Sequence, residues 1–260
     1  MGNAVIETKP DDDGKDYYPR GTALGTAVHE VFEKAVFSDY KSSCESSDSI
    51  NADLEDLIKD CFRKQAIRFD KDGKILNETK RIVWNTLNAA LPSIRGNRSD
   101  ENRCFRLSDL DESQKRAEVE FSLSPADQDV LKKYCNGFVD LVFVRDGLYS
   151  ILDWKTDTKT NEGKPIDYSS FECLKDRVDE AYSIQRVLYS YCLIKWLRQW
   201  YGEDEERIFK EHFGGIYYVF VRGCMKDKSN GVYAQTWNSW HDLKAAFDII
   251  KKKKMYIFDN

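Results

Sequence analysis

One stretch constrains this chain more than any other. Gly137-Phe-Val-Asp140-Leu-Val-Phe-Val144 is an apolar run suited to a central strand and broken once, by a carboxylate. An ionised aspartate inside a sheet is costly unless it is paired or holds a cation. After Arg145-Asp146-Gly147 the chain resumes as Leu148-Tyr-Ser-Ile-Leu-Asp153-Trp-Lys155, a second strand-like segment. Asp-Gly is a preferred dipeptide of the two-residue type I′ hairpin turn. With that turn, Arg145 faces Leu148, and counting outward sets Asp140 opposite Asp153 on one face, their Cβ atoms about 5 Å apart. Lys155 falls on the same face, diagonal to Asp140. Opposed like charges repel unless a divalent cation lies between them, and hard oxygen ligands favour magnesium or manganese over zinc. A neighbouring lysine can orient an attacking water or stabilise charge on a phosphate. A three-residue loop without a bulge would put Asp153 on the other face and undo this constellation.

The rest of the 260 residues narrows the class. Hydrophobic residues make up 41% and charged residues 33%, which excludes a disordered tail or a collagen-like rod. No uncharged apolar run approaches the roughly 20 residues of a membrane helix, and the polar, acidic start lacks a signal-peptide core. A soluble, cytoplasmic protein without a membrane partner is expected. The seven cysteines form no Cys-x-x-Cys pair, so neither a zinc ribbon nor an Fe–S cluster is expected. Without a G-x-x-x-x-G-K-[ST] or G-x-G-x-x-G segment, no nucleotide cofactor is expected either.

Along the chain, residues 1–16 read as an acidic linker and 17–260 as one domain. A helix capped by Thr22 is expected to run to about Phe37, burying Leu24, Val28, Val31 and Ala35. Helices are predicted near 51–70 and 75–91, the second ended by Pro92, with a strand near 117–123. Beyond the hairpin, a loop over 157–172 precedes one long helix over about 175–200. Strands at Gly215–Arg222 and Val232–Trp237 and a helix over 239–253 close the chain. Helices flanking a sheet that starts with a hairpin imply an α/β fold of α+β character. Residues 39–62 carry seven acids against Lys41 and Lys59, while 63–98 carry nine Lys or Arg against three acids. The net charge of −5 therefore leaves a basic segment available to an anionic partner.

Asp…Asp-x-Lys on a hairpin is the signature of the PD-(D/E)xK nuclease superfamily. The flanking segments Pro19-Arg-Gly-Thr-Ala-Leu-Gly-Thr-Ala-Val-His29-Glu, Gly137–Phe143, Asp153-Trp-Lys-Thr, Gln185-Arg-Val-Leu-Tyr189 and His212–Gly223 resemble the RecB-type nuclease domains within it. The resemblance covers most of residues 17–237. It implies a restriction-endonuclease-like core whose central mixed sheet carries the active site on a hairpin. It also implies Mg2+-dependent hydrolysis of DNA, with Mn2+ as a substitute, preferring single strands and cutting exo- and endonucleolytically. Carried over by position, His29, Asp140, Asp153 and the carbonyl of Trp154 are implied metal ligands, and Lys155 the catalytic lysine. Glu118, over Glu120 of the same strand parity, is the implied acid ahead of the hairpin. Gln185 and Tyr189 are implied to face DNA or support the site. Trp154 stands where the family usually has Tyr, with its ring expected to point away from the metal. The implied partners are DNA, a helicase portion of the same chain, and RecC- and RecD-like subunits in recombination and repair. The alternatives are a non-catalytic nuclease fold that binds DNA or subunits, and a standalone defence or repair nuclease. His212, which has no acidic neighbour in its motif, reads as structural.

Overall fold

Every residue of the strand Phe213–Phe220 is buried. A strand can lose all its solvent only if both faces of its sheet are covered, and here helices cover both. The computed structural model describes residues 18–45, 48–95, 104–121 and 137–258; the acidic leader lies outside them. The helices are α1 (Thr22–Lys34), α2 (Asp48–Lys64), α3 (Lys74–Leu87), α4 (Phe171–Ala181), α5 (Ser183–Tyr201), α6 (Glu205–His212) and α7 (Trp240–Phe258). The strands are β1 (Leu91–Pro92), β2 (Cys104–Phe105), β3 (Lys115–Phe121), β4 (Gly137–Arg145), β5 (Leu148–Lys155), β6 (Phe213–Phe220) and β7 (Val232–Gln235). β1 and β2 form a short separate pair, and the main sheet has the order β3-β4-β5-β6-β7. Only β5 and β6 run parallel, and the other neighbours are antiparallel. The connection between β5 and β6 travels through α4, α5 and α6, as a parallel pair requires.

Strand alternation splits the core in two. Leu141, Phe143, Leu152, Trp154, Tyr217 and Val219 pack with α1–α3, whereas Val142, Ile151, Tyr218 and Phe220 pack with α4–α7. The result is a three-layer α/β/α arrangement. α1 buries Leu24, Ala27, Val28, Val31 and Phe32, the i, i+3, i+4 stripe read from the sequence. α5 is apolar round much of its circumference, because it lies between the sheet and the outer helices α6 and α7. No helix among the described residues is long and apolar enough to cross a membrane.

The structure corrects several expected boundaries. Gly21, not Thr22, caps α1, with φ 105° and no side-chain cap. α3 stops at Leu87, well before Pro92, because buried Asn88 terminates it. The Asn88 amide donates to Tyr40 O at 2.8 Å and Trp84 O at 3.0 Å, while Ser42 and Ser108 donate to its Oδ1. The long helix expected over 175–200 is two helices broken at Tyr182, a residue of the site. α6 occupies an interval to which no element was assigned. Asp204 caps it by accepting from Arg207 N at 3.0 Å.

Part of the basic segment pairs with carboxylates of its own chain. Lys80 and Lys59 share Glu55, Lys64 pairs with Glu30, Arg63 with Asp60 and Arg81 with Glu78. These pairs engage four of the segment's nine Lys and Arg, Lys64 and Lys80 through helix packing and Arg63 and Arg81 within their own helices.

Candidate active site

The hairpin turn forms as its sequence demands. Asp146 and Gly147 both have positive φ, 54° and 77°, the type I′ signature, and Arg145 pairs with Leu148. The ladder continues to Leu141↔Leu152 and stops one residue short of Asp140 and Asp153. On the other side of β4, the partners Ala117↔Leu141 and Val119↔Val139 skip Glu118 and Asp140. Asp140 thus sits where β4 leaves the β5 ladder and where its ladder with β3 skips one pair. Its Oδ2 accepts from the Trp154 amide at 2.7 Å, so a carboxylate takes a main-chain donor. Its Oδ1 lies 3.3 Å from Nδ1 of His29 on α1, which leaves Nε2 as the nitrogen able to ligate. Burial works against the His29 imidazolium, but the bond and charge of Asp140, with help from Asp153, outweigh it and raise the pKa.

Asp153 is only 2% exposed. Its Oδ1 accepts from Gln185 Nε2 at 2.8 Å. Its Oδ2 touches the Lys155 ammonium yet accepts no well-directed hydrogen bond. Burial pushes the Asp153 carboxyl up to about 6; Lys155 opposes the shift and Asp140 adds to it. Lys155 Nζ also reaches Gln185 Oε1 at 3.3 Å, so one amide orients both groups. Gln185 is held in turn by Tyr189, whose hydroxyl accepts from it at 3.2 Å and donates to Phe138 O at 2.8 Å. That bond ties α5 to β4 just ahead of Asp140. Trp154 lies between Asp153 and Lys155 and points to the opposite face. Its ring stacks on Phe32 of α1 with centroids 4.3 Å apart, a contact worth about 0.5–1.5 kcal/mol beyond area burial.

Glu118 is the irregular member. It is exposed, and it takes φ 48° in mid-strand, a conformation that is a real outlier for a side chain of its size. Partial burial, Asp140 and Glu33 together raise its pKa against the pull of His29. Glu120 stays in the ladder opposite Phe138. Of the two acids, Glu118 is the one electrostatically joined to Asp140 and His29. His212 stacks on Tyr201, with centroids 3.7 Å apart, in the structural role expected of it.

The fold therefore gathers His29, Glu118, Asp140, Asp153, Lys155, Gln185 and Tyr189 about the point where β4 and β5 part, with the Trp154 amide on Asp140. Sequence reasoning missed the support beneath Lys155. The ammonium lies 3.8 Å from the centroid of the Tyr182 ring and 5.6 Å from that of Tyr218. An aromatic face attracts a cation by about 0.5–2 kcal/mol. The Tyr182 hydroxyl donates to both oxygens of Asp157, at 2.9 and 2.8 Å, and Asp157 pairs with Arg177. Tyr182 stands at the break between α4 and α5, with φ −125° and ψ 9°. The available signal was an aromatic residue three positions before Gln185, on the same helical face.

Among the described residues, no three His, Cys, Asp or Glu side chains stand close enough to cage an ion as placed. Asp140 is turned onto Trp154 N–H, and Asp153 onto Gln185 and Lys155. The donor chemistry still suits a hard divalent cation. Two carboxylates and an imidazole stand together, and a buried carboxylate oxygen among them lacks a hydrogen bond.

Comparison with known proteins identifies a family for the chain. A family model described as the PD-(D/E)XK nuclease superfamily matches residues 7–256, and its members generally use divalent metal ions. The RecBCD enzyme subunit RecB of Borreliella burgdorferi is 24% identical over 240 residues, covering 83% of this chain and 19% of that protein. RecB of Buchnera aphidicola subsp. Schizaphis graminum is 37% identical over 87 residues, 34% of this chain and 7% of the relative. RecB of Escherichia coli K12 is 29% identical over 104 residues, 40% and 8% respectively. The chain spans less than a fifth of the length of these relatives. A mixed sheet with an Asp…Asp-x-Lys hairpin, and a family model matched along nearly its whole length, make this chain a member of the PD-(D/E)XK nuclease superfamily.

Proposed function

We propose that the chain is the nuclease domain of a RecBCD-type helicase–nuclease and hydrolyses DNA phosphodiesters with Mg2+. The observation that carries this reading is the convergence on Lys155. A lysine held by Asp153, Gln185 and the Tyr182 ring has its position fixed from three sides. His29, Asp140, Asp153 and the Trp154 carbonyl are the residues that would hold the ion. When bound, it would neutralise charge on the scissile phosphate and lower the pKa of an attacking water. Lys155 is placed to hold that water or to stabilise the developing phosphorane charge. Gln185 keeps Asp153 and Lys155 in register, and Tyr189 locks Gln185 to β4. Glu118 adds a carboxyl able to carry a proton at the rim. The relatives' names support a RecBCD-type complex acting on DNA, and the proposal extends to single strands fed by a helicase portion of the same protein and to RecC- and RecD-like partners in the cytoplasm.

The test is cleavage of end-labelled single-stranded DNA by wild type and Asp153→Ala in Mg2+, Ca2+ and EDTA. Wild type cuts in Mg2+ and not in EDTA, and Asp153→Ala is inactive with an unchanged circular-dichroism spectrum. Undiminished cleavage by Asp153→Ala overturns the assignment.

A further inference from the structure

Within the apolar segment Gly137–Phe143 only Phe138 is exposed, to 52%, and it stands two positions ahead of Asp140. An isolated exposed ring is ordinary on a protein surface; what distinguishes this one is its place. The main chain beneath it is held on both sides. It pairs with Glu120 in the β3 ladder, and its carbonyl accepts from the Tyr189 hydroxyl at 2.8 Å. Val139 packs into the half of the core built by α4–α7, so strand alternation turns Phe138 to the opposite face. That is the face from which His29 on α1 reaches Asp140. Two residues of extended strand span about 7 Å. The ring is thus fixed by its backbone at that distance from a candidate metal ligand, and it belongs to neither half of the core.

The surroundings select which part of a nucleotide fits there. Exposed Glu120 stands across the ladder, and Glu118, two residues before it, is crowded with like charge by Asp140 and Glu33. Carboxylates on the β3 side repel a phosphate. A nucleobase carries no charge and presents a π face, which an aromatic ring can cover whatever the base. A strand that crosses the metal site with its phosphate toward the ion therefore meets Phe138 with a base rather than with its backbone. A ring already held in place also loses little freedom on stacking.

We propose that Phe138 is the stacking platform for one nucleobase of the single strand, next to the nucleotide cut at the Asp140–Asp153 site. The inference rests on the nuclease reading and adds a contact that holds a base without reading its identity.

The test is fluorescence-anisotropy binding, in EDTA, of a labelled oligothymidylate and of an abasic tetrahydrofuran strand of the same length, beside kcat and KM for oligothymidylate cleavage in Mg2+. Phe138→Ala, Phe138→Thr and Phe138→Trp are compared with Phe171→Ala, which removes a ring of similar exposure, 53%, at the start of α4. Ala and Thr at 138 should weaken thymidylate binding about fivefold or more, the lower end of one base–aromatic stack, and leave abasic binding as in wild type. Phe138→Trp should retain the preference for bases, and so should Phe171→Ala. The loss should appear in KM rather than kcat, and the salt dependence should not change, because no phosphate contact is removed. Phe138→Thr, which suits a strand, carries the test if Phe138→Ala is misfolded. Equal losses on both strands, or wild-type binding and KM in a folded variant, overturn the platform while the nuclease reading stands. A fall in Tm for both Ala and Thr of the size that follows core truncation also overturns it, since the ring would then be packed by the chain itself. A wild-type protein that neither binds nor cuts single strands overturns both. If instead Asp153→Ala still cuts, the catalytic assignment fails and the platform stands on its binding data.

Discussion

Replacing Glu118 by glycine should stabilise the protein while lowering its activity. Glu118 holds φ 48° in the middle of β3, and the left-handed region costs a residue with a Cβ about 1–2 kcal/mol. Glycine adopts that conformation without the penalty but loses more freedom on folding, about 0.5–1 kcal/mol. The backbone balance is therefore a gain of about 0.5–1 kcal/mol. Removing the carboxyl acts in the same direction, because Asp140 and Glu33 crowd it with like charge. For a chain of this size the gain corresponds to a rise in Tm of roughly 1–4 °C. The assay is thermal unfolding in EDTA of wild type, Glu118→Gly, Glu118→Ala and Glu118→Gln. Gln keeps the strain and removes the charge, and Ala removes charge and side-chain length but keeps the strained Cβ. Gly should therefore melt above both, with DNA cleavage below wild type. Gly melting at or below Ala would refute the claim that β3 is strained here. Full activity in Glu118→Gly would remove Glu118 from the site.

Two further expectations concern protons and thiols. Burial raises the Asp153 pKa to about 6, above the roughly 3.9 of an unfolded chain, so without metal the native state binds the extra proton. Stability should thus rise as pH falls through about 6 and level off near 4. His29 adds in the same sense, its contribution being lost as pH rises through its elevated pKa. Asp153→Asn should flatten the Tm–pH profile in EDTA and gain on the order of 2 kcal/mol at about pH 8; parallel profiles for the two proteins would count against this electrostatic picture. Among the cysteines of the described residues, iodoacetamide at about pH 8 should modify exposed Cys104 first. Buried Cys192 should react only after unfolding, as should Cys61 and Cys224, whose thiols burial pushes up to about 11 and about 12. Peptide mass spectrometry showing Cys61 or Cys224 labelled as fast as Cys104 would contradict that order.

Local signals carried much of the fold. The hairpin was legible because Asp146-Gly147 fixes turn type and hence register, and α1 because its apolar stripe has helical period. The site residues were legible in part because a carboxylate inside an apolar strand demands an explanation. What escaped was set by tertiary contact. Glu118 has no local marker for its left-handed backbone, which arises where β3 faces the departing Asp140. Tyr182 reads as helix interior, and its ring contact with Lys155 and its bond to Asp157 depend on tertiary packing. The charge of the basic segment could be counted from sequence, whereas the pairing of Lys64 with Glu30 and of Lys80 with Glu55 depends on helix packing.

Trp154 separates the two chemical groups of β5 and roots them in the opposite half of the core, against Phe32. Asp153 and Lys155 consequently share one anchor, and a change in packing beneath Trp154 would displace them as a unit, with their mutual spacing preserved. His29 rides on α1, the helix that supplies Phe32, two layers of contact away. Substitutions at that stacked interface would therefore adjust the imidazole relative to the carboxylate–lysine pair without disturbing the pair itself. Such a joint lets drift in an apolar core retune a polar site gradually, one small translation at a time.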